Sequence, residues 1–303
     1  MKQLTDGIFP TMLVLYNKEG KIDYAGMKNL IEWYIKNGVH GIFALCHSTE
    51  VHKLTVDEKT ELAAFVMKTV AGRVPVVMAG ATEDELDDQL ATANKIINAA
   101  HPDAFVFLRN RLGDDFETFK TRLDYLIDKL PADISLGLYE CPFPYKQWLT
   151  DEELEYTVKT GRFVFLKDTC CDVEIMKRRA AIVKGTSFKL YNANCATYYE
   201  MMNLGYSGFS GIGANFHPDL YAFIANNLND PRCEMIDKVI GVSSVIECRC
   251  YPICAKKYLN MFEGFNICET SRVTEDTTIP ALSAELAGIN YLTNYCRDLI
   301  ANK

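Results

Sequence analysis

Two side chains frame the chemistry this sequence can do. Lys167 closes the apolar, partly β-branched run Phe163-Val164-Phe165-Leu166, a pattern that reads as a buried parallel strand. Tyr139, 28 residues before it, closes the run that starts at Ile134. A lysine ending a buried strand costs free energy unless it is paired, neutral or covalently engaged. Once desolvated, its amine loses a proton more readily and becomes a nucleophile toward carbonyl carbons. A strand-end tyrosine beside such a lysine can relay protons to and from a substrate oxygen. The competing reading is structural: a lysine that snorkels or pairs with Asp168, and a half-buried tyrosine that only packs. Other strand ends are polar too. Cys46-His47-Ser48-Thr49-Glu50 offers hydroxyls and backbone amides suited to a carboxylate. Gly208-Phe209-Ser210-Gly211-Ile212-Gly213 reads as a loop whose missing side chains let a ligand approach the backbone.

These groups act together only if the fold makes them converge. From residue 7 to about 215, short apolar strands alternate with amphipathic helices. Strands are predicted over 7–16, 41–45, 74–79, 104–108, 134–139, 163–167, 188–191 and 208–210. Helices are predicted over 24–37, 56–70, 84–99, 116–130, 151–160, 172–183 and 196–204, the sixth capped near Asp172. Such repeated strand–helix units with short connections predict an α/β fold, a (β/α)8 TIM barrel, in which the strands' C-terminal ends share one mouth. An open doubly wound sheet lacks support, because neither Gly-x-Gly-x-x-Gly nor a P-loop follows the first strand. Beyond about residue 230 the chain reads as helix only, over 234–245, 254–262 and 281–299. With no Pro/Gly/Ser linker between them, residues 1–228 are taken as the barrel and 229–303 as a C-terminal helical extension of one structural domain.

Composition narrows the partners. The 303 residues carry a net charge of −8 with no basic stripe, which argues against nucleic acid or an anionic membrane surface. Charges interrupt every apolar run before ~18 residues, so no membrane span is expected. Residues 1–6 lack a signal-peptide pattern, which makes a cytoplasmic, reducing compartment the expectation. The 11 cysteines then read as reduced thiols. Cys248, Cys250 and Cys254 match no zinc spacing and have no histidine nearby, so no metal is expected.

At this point the chain resembles a known family. Tyr139 and Lys167 on consecutive strands are similar to the Tyr/Lys pair of the dihydrodipicolinate synthase / N-acetylneuraminate lyase family, class I pyruvate-dependent aldolases on (β/α)8 barrels. The likeness includes Gly7-Ile8-Phe9-Pro10-Thr11, Leu54-Thr55-Val56-Asp57-Glu58-Lys59, Lys167-Asp168-Thr169 and the stretch from Gly205 to Asn215. It implies that Lys167 forms an imine with pyruvate or a related 2-oxo acid, without metal or further cofactor, while Tyr139 shuttles the proton. It also places the carboxylate loop on residues 46–50, making His47, Ser48 and Thr49, with Ser210, the substrate-binding candidates. A homotetramer or homodimer is implied as well.

The departures bear on substrate. Pro144 stands where dihydrodipicolinate synthases carry a carboxylate-binding arginine. No tyrosine occurs near Arg109-Asn110-Arg111, where those enzymes carry one that reaches a partner subunit. Cys195 and Ala196 stand where sialic acid lyases have an acidic pair. Phe143, Tyr145 and Trp148, with Arg109 or Arg111, suit a short, partly apolar or singly charged aldehyde. The resulting expectation is reversible cleavage of a 4-hydroxy-2-oxo acid into pyruvate and an aldehyde. Two rivals remain: a dehydratase or hydratase-aldolase on a 3-deoxy-2-oxo sugar acid through the same imine, and a non-catalytic 2-oxo-acid-binding relative.

Overall fold

A computed structural model describes residues 4–274 and 279–302; the first three of the six amino-terminal residues considered above lie outside them. Eight parallel strands alternate with helices: β1 Gly7–Ile8, β2 Ile42–Ala44, β3 Val76–Met78, β4 Ala104–Leu108, β5 Leu136–Tyr139, β6 Phe163–Asp168, β7 Lys189–Asn192 and β8 Gly208–Phe209. They form one sheet in the order β1-β8-β7-β6-β5-β4-β3-β2. Thr11 pairs in parallel with Phe43, and Met12 N donates to Phe43 O at 2.9 Å, which brings the two ends of the sheet together as a barrel. The (β/α)8 expectation therefore holds.

Helices α1 Tyr24–Lys36, α2 Val56–Val70, α3 Leu86–Ala100, α4 Phe116–Lys129, α5 Asp151–Lys159, α6 Val173–Val183, α7 Tyr198–Asn203 and α8 Pro218–Asn226 follow the eight strands. Asp172 caps α6, accepting from Glu174 N at 2.9 Å and Ile175 N at 3.0 Å. Three further helices follow: α9 Arg232–Glu247, α10 Ile253–Phe262 and α11 Leu282–Ala301. Two local expectations fail. The strand predicted over 7–16 is two residues long, because Pro10 has no N–H to give the ladder and Tyr16 folds back to bridge Ile22. Helix α8 was not foreseen; it starts with Pro218, whose fixed φ suits a first helical turn.

Side chains alternate across each strand, and that alternation divides the core. Phe9, Phe43, Val77, Val106, Tyr139, Phe165 and Tyr191 cluster inside the barrel. Leu138, Leu166 and Leu190 belong instead to the layer shared with the helices. The inner plug is aromatic: the Tyr191 ring lies 4.7 Å from both Phe9 and Phe165. Polar groups at the strand ends therefore sit on a dry floor. Closure between β1 and β8 depends on Gly208, where a Cβ would stand 1.8 Å from the Gly7 carbonyl oxygen. The C-terminal helices dock on this frame through buried polar contacts. Lys256 of α10 reaches Glu50 at 3.1 Å with both side chains fully buried, and Trp33 Nε1 of α1 donates to Glu263 at 3.0 Å. Among the described residues no helix is long and apolar enough to cross a membrane. Cys46, Cys195, Cys233 and Cys296 are buried thiols outside any disulfide.

Candidate active site

Tyr139 and Lys167 are register partners on β5 and β6, so backbone pairing alone places them side by side. Both are buried, at 2% and 5% exposure. The Lys167 amine stands 4.4 Å from the centroid of the Tyr139 ring and 5.8 Å from that of Phe43. Among the described residues no carboxylate pairs with it; the groups that bear on its charge include the thiols of Cys46 and Cys141. Burial pushes its pKa below that of an ordinary lysine, and the thiols only partly oppose the shift. Burial likewise holds the Tyr139 phenol well above its usual value, reinforced by Cys141 and Cys46. Burial thus biases both groups toward their neutral forms.

The structural alternative for Lys167, an ion pair with Asp168, is not realised. Asp168 is the next residue on the strand and faces outward. There it meets Arg179 of α6 at 2.7 Å and accepts from Tyr206 Oη at 2.6 Å. Glu140, next to Tyr139, joins the same guanidinium at 2.6 Å and accepts from Leu149 N and Thr169 N, each at 2.9 Å. Burial raises the Asp168 pKa, but Arg179 and Tyr206 outweigh it and hold the carboxyl below its usual range. Burial and the Asp168 charge push Glu140 above its usual range. This bridge locks β5, β6 and α6 behind the two inward-facing groups.

The segment after β2 is a 3-10 turn, His47–Thr49. Ser48 is buried and in hydrogen-bond contact with the Tyr251 hydroxyl. Thr49 is spent on structure, because its hydroxyl donates to Met12 O at 2.6 Å and accepts from Cys46 N at 3.3 Å. His47 is partly buried and stacks under Phe143, ring centroids 6.0 Å apart. At the end of β8 the Ser210 hydroxyl is buried and has no hydrogen-bond partner among the described residues. The glycines around it are packed closely. A Cβ on Gly211 would strike the Phe209 ring at 2.4 Å, and one on Gly213 the Tyr221 hydroxyl at 2.1 Å. Close packing requires both glycines. Arg109 is also removed from the mouth. It is buried outside the barrel against Glu153, with Nη1 donating to Gly113 O at 2.6 Å. Arg111 pairs with Asp84.

Three residues escaped the sequence reading. Tyr251 lies between α9 and α10, yet its hydroxyl reaches the mouth, accepting from Asn215 Nδ2 at 2.9 Å and bearing on the Tyr139 charge. Asn110 pins the loop after β5 with donations to Cys141 O at 3.1 Å, Phe143 O at 3.0 Å and Tyr145 O at 2.6 Å. His52 comes up beside His47, with ring centroids 5.8 Å apart. Neither spacing nor local pattern marks any of them.

Comparison with known proteins follows the same lines. A family model described as the dihydrodipicolinate synthetase family matches residues 4–107. The chain is 24% identical over 260 residues to the 4-hydroxy-tetrahydrodipicolinate synthase of Shewanella sp. (strain MR-7), covering 84% of this chain and 86% of that one. It is 24% identical over 226 residues to the enzyme of the same name from Neisseria meningitidis serogroup B, covering 72% and 74%. Among solved structures, a sialic acid aldolase of Ruminococcus gnavus with its catalytic lysine mutated superposes with a TM-score of 0.85 at 16% identity, covering 98% and 99%. Dihydrodipicolinate synthase of Acinetobacter baumannii in complex with pyruvate superposes with a TM-score of 0.84 at 17% identity, covering 96% and 99%.

Proposed function

We propose that this chain, which is similar to the dihydrodipicolinate synthetase family over residues 4–107 and 24% identical to a 4-hydroxy-tetrahydrodipicolinate synthase, is a pyruvate-dependent class I aldolase acting through a Lys167 imine. The observation that carries the proposal is the buried Lys167 amine facing the Tyr139 ring at 4.4 Å with no carboxylate partner among the described residues. The neutral amine adds to C2 of a 2-oxo acid, and the Tyr139 phenol gives up its proton as water leaves, so that a protonated imine and a phenolate remain side by side. That cation is the electron sink for breaking or forming the C3–C4 bond. In the cleavage direction Tyr139, as phenolate, takes the C4 hydroxyl proton, the aldehyde leaves, and the enamine is reprotonated at C3 before water releases pyruvate. Tyr251, tied to Ser48 and Asn215, extends the relay from within the same chain. Ser48 and the unpartnered Ser210 hydroxyl are the donors we assign to the substrate carboxylate, with His47 above them.

The substrate assigned is a short 4-hydroxy-2-oxo acid. Pro144 offers no bidentate clamp for a second carboxylate, and Arg109 and Arg111 are engaged elsewhere. Phe143, Tyr145 and Trp148 present exposed aromatic surface at the rim. Mass spectrometry after incubation with pyruvate and borohydride tests the core of the proposal: one reduced adduct per chain, mapped to Lys167. An adduct mapped to Lys146 or Lys189 refutes it. We also propose a homodimer or homotetramer, supported by exposed Val242, Val245, Tyr291 and Tyr295 on the adjacent helices α9 and α11. Light scattering that returns only the 34.2 kDa protomer contradicts this.

A further inference from the structure

The geometry points to a binding site for a thiophilic divalent cation such as Zn2+ at the barrel mouth, formed by His47, His52 and Cys141. One ligand atom from each lies within 4.8 Å of the other two. His47 Nδ1 and His52 Nε2 are buried and have no hydrogen-bond partner among the described residues. Buried imidazole nitrogens left in that state cost free energy, and a metal ion is one group that satisfies several at once. The ligand set is chemically coherent: two imidazoles and a thiolate suit Zn2+ and its neighbours in the transition series, and exclude Mg2+ and Ca2+, which require oxygen. Three protein ligands leave a fourth position for water or a substrate oxygen.

The surroundings are built to hold such a set. Cys141 follows β5 directly, and Asn110 clamps its carbonyl together with those of Phe143 and Tyr145. Phe143 covers both histidines, its ring 4.6 Å from that of His52. Zn–N bonds of about 2.0–2.1 Å and a Zn–S bond of about 2.3 Å require the donors to close in by about 1 Å, a movement within reach of side-chain rotation in the two short turns. Binding exchanges the Cys141 S–H bond for an S–Zn bond and releases one proton to solvent. The ion then caps the path to Lys167, because Cys141 stands two residues after Tyr139, the register partner of Lys167. Its effect is inhibition: a metal-occupied chain admits no 2-oxo acid to the amine. This last step rests on the imine chemistry proposed above; the binding itself does not.

Titration of the full chain with Co2+ separates the two. One equivalent is expected to produce a thiolate-to-cobalt charge-transfer band that Zn2+ bleaches. Cys141→Ser should remove the band, and His52→Ala should weaken Zn2+ binding at least 10- to 100-fold by the scale of ligand-shell losses. Cys171→Ser, at an exposed thiol, should leave the band intact. A band that survives Cys141→Ser, or is absent from the parent chain, overturns the site. Near-ultraviolet circular dichroism of each variant shows that a lost band is not lost folding. In a parallel borohydride assay one equivalent of Zn2+ should block the pyruvate adduct and a chelator should restore it. An adduct formed equally with and without Zn2+ overturns the inhibition, whereas no adduct under any condition, with the cobalt band present, refutes the imine and leaves the metal site standing.

Discussion

Tyr139 and Glu140 are neighbours on β5, as Lys167 and Asp168 are on β6, yet the two pairs live in opposite electrostatic settings. Outside the barrel, Glu140 and Asp168 share the Arg179 guanidinium and take backbone N–H groups besides. Their charges are buried and answered. Inside, Lys167 has aromatic rings and thiols around it, and its charge is answered by nothing ionic among the described residues. The pleat alone makes this division, since consecutive side chains point to opposite faces. A paired buried charge contributes rigidity, because removing one partner strands the other. An unpaired one is pushed toward its neutral form by burial. On the proposed mechanism the outer bridge positions and the inner pair reacts.

Lys167→Ala attacks the inner pair most severely. It should abolish the borohydride-trapped pyruvate adduct and all lyase turnover without lowering the urea midpoint, since it deletes an unanswered buried amine. A large loss of stability would show that Lys167 is structural after all. Tyr139→Phe should still form the adduct, more slowly, while steady-state turnover falls by about 10²–10⁴, the usual worth of a positioned proton relay. Full turnover in this variant would take the tyrosine out of the mechanism. On the outer face, Arg179→Met should cost about 3–5 kcal/mol in urea unfolding, because two carboxyl groups lose their buried partner. An unchanged midpoint would erase the distinction between the faces. Ser210→Ala removes one candidate donor and should weaken pyruvate binding by about 1 kcal/mol, roughly fivefold, in a calorimetric titration. The smallest effect belongs to chelation: EDTA should not reduce turnover, as the imine is its own electron sink, and a loss restored by a divalent ion would point to metal-assisted chemistry.

What the sequence determined was local. Continuous apolar runs closed by polar residues mark β4 at both ends, β5 at its C-terminal end and β6 to within one residue, and so single out Tyr139 and Lys167 as strand ends. Helix α2 matches its predicted span, residues 56–70, because apolar periodicity and a Thr55–Glu58 capping box coincide there. Glycines were less legible. In Gly208 to Gly213 the same residue type that suggests an open backbone was required by close approach of Gly7, Phe209 and Tyr221. Long side chains misled in the same way: Arg109 follows a strand end but turns outward to Glu153, because the turn after β4 decides which face it takes. Only the closed barrel brings His47 and His52 to Cys141, and only docking of the C-terminal segment brings Tyr251 to Ser48 and Asn215. Such contacts join residues far apart in the chain, and no window of sequence contains both partners. Periodicity reports which face a residue takes on its own element, whereas its neighbours across elements are set by how the whole core packs.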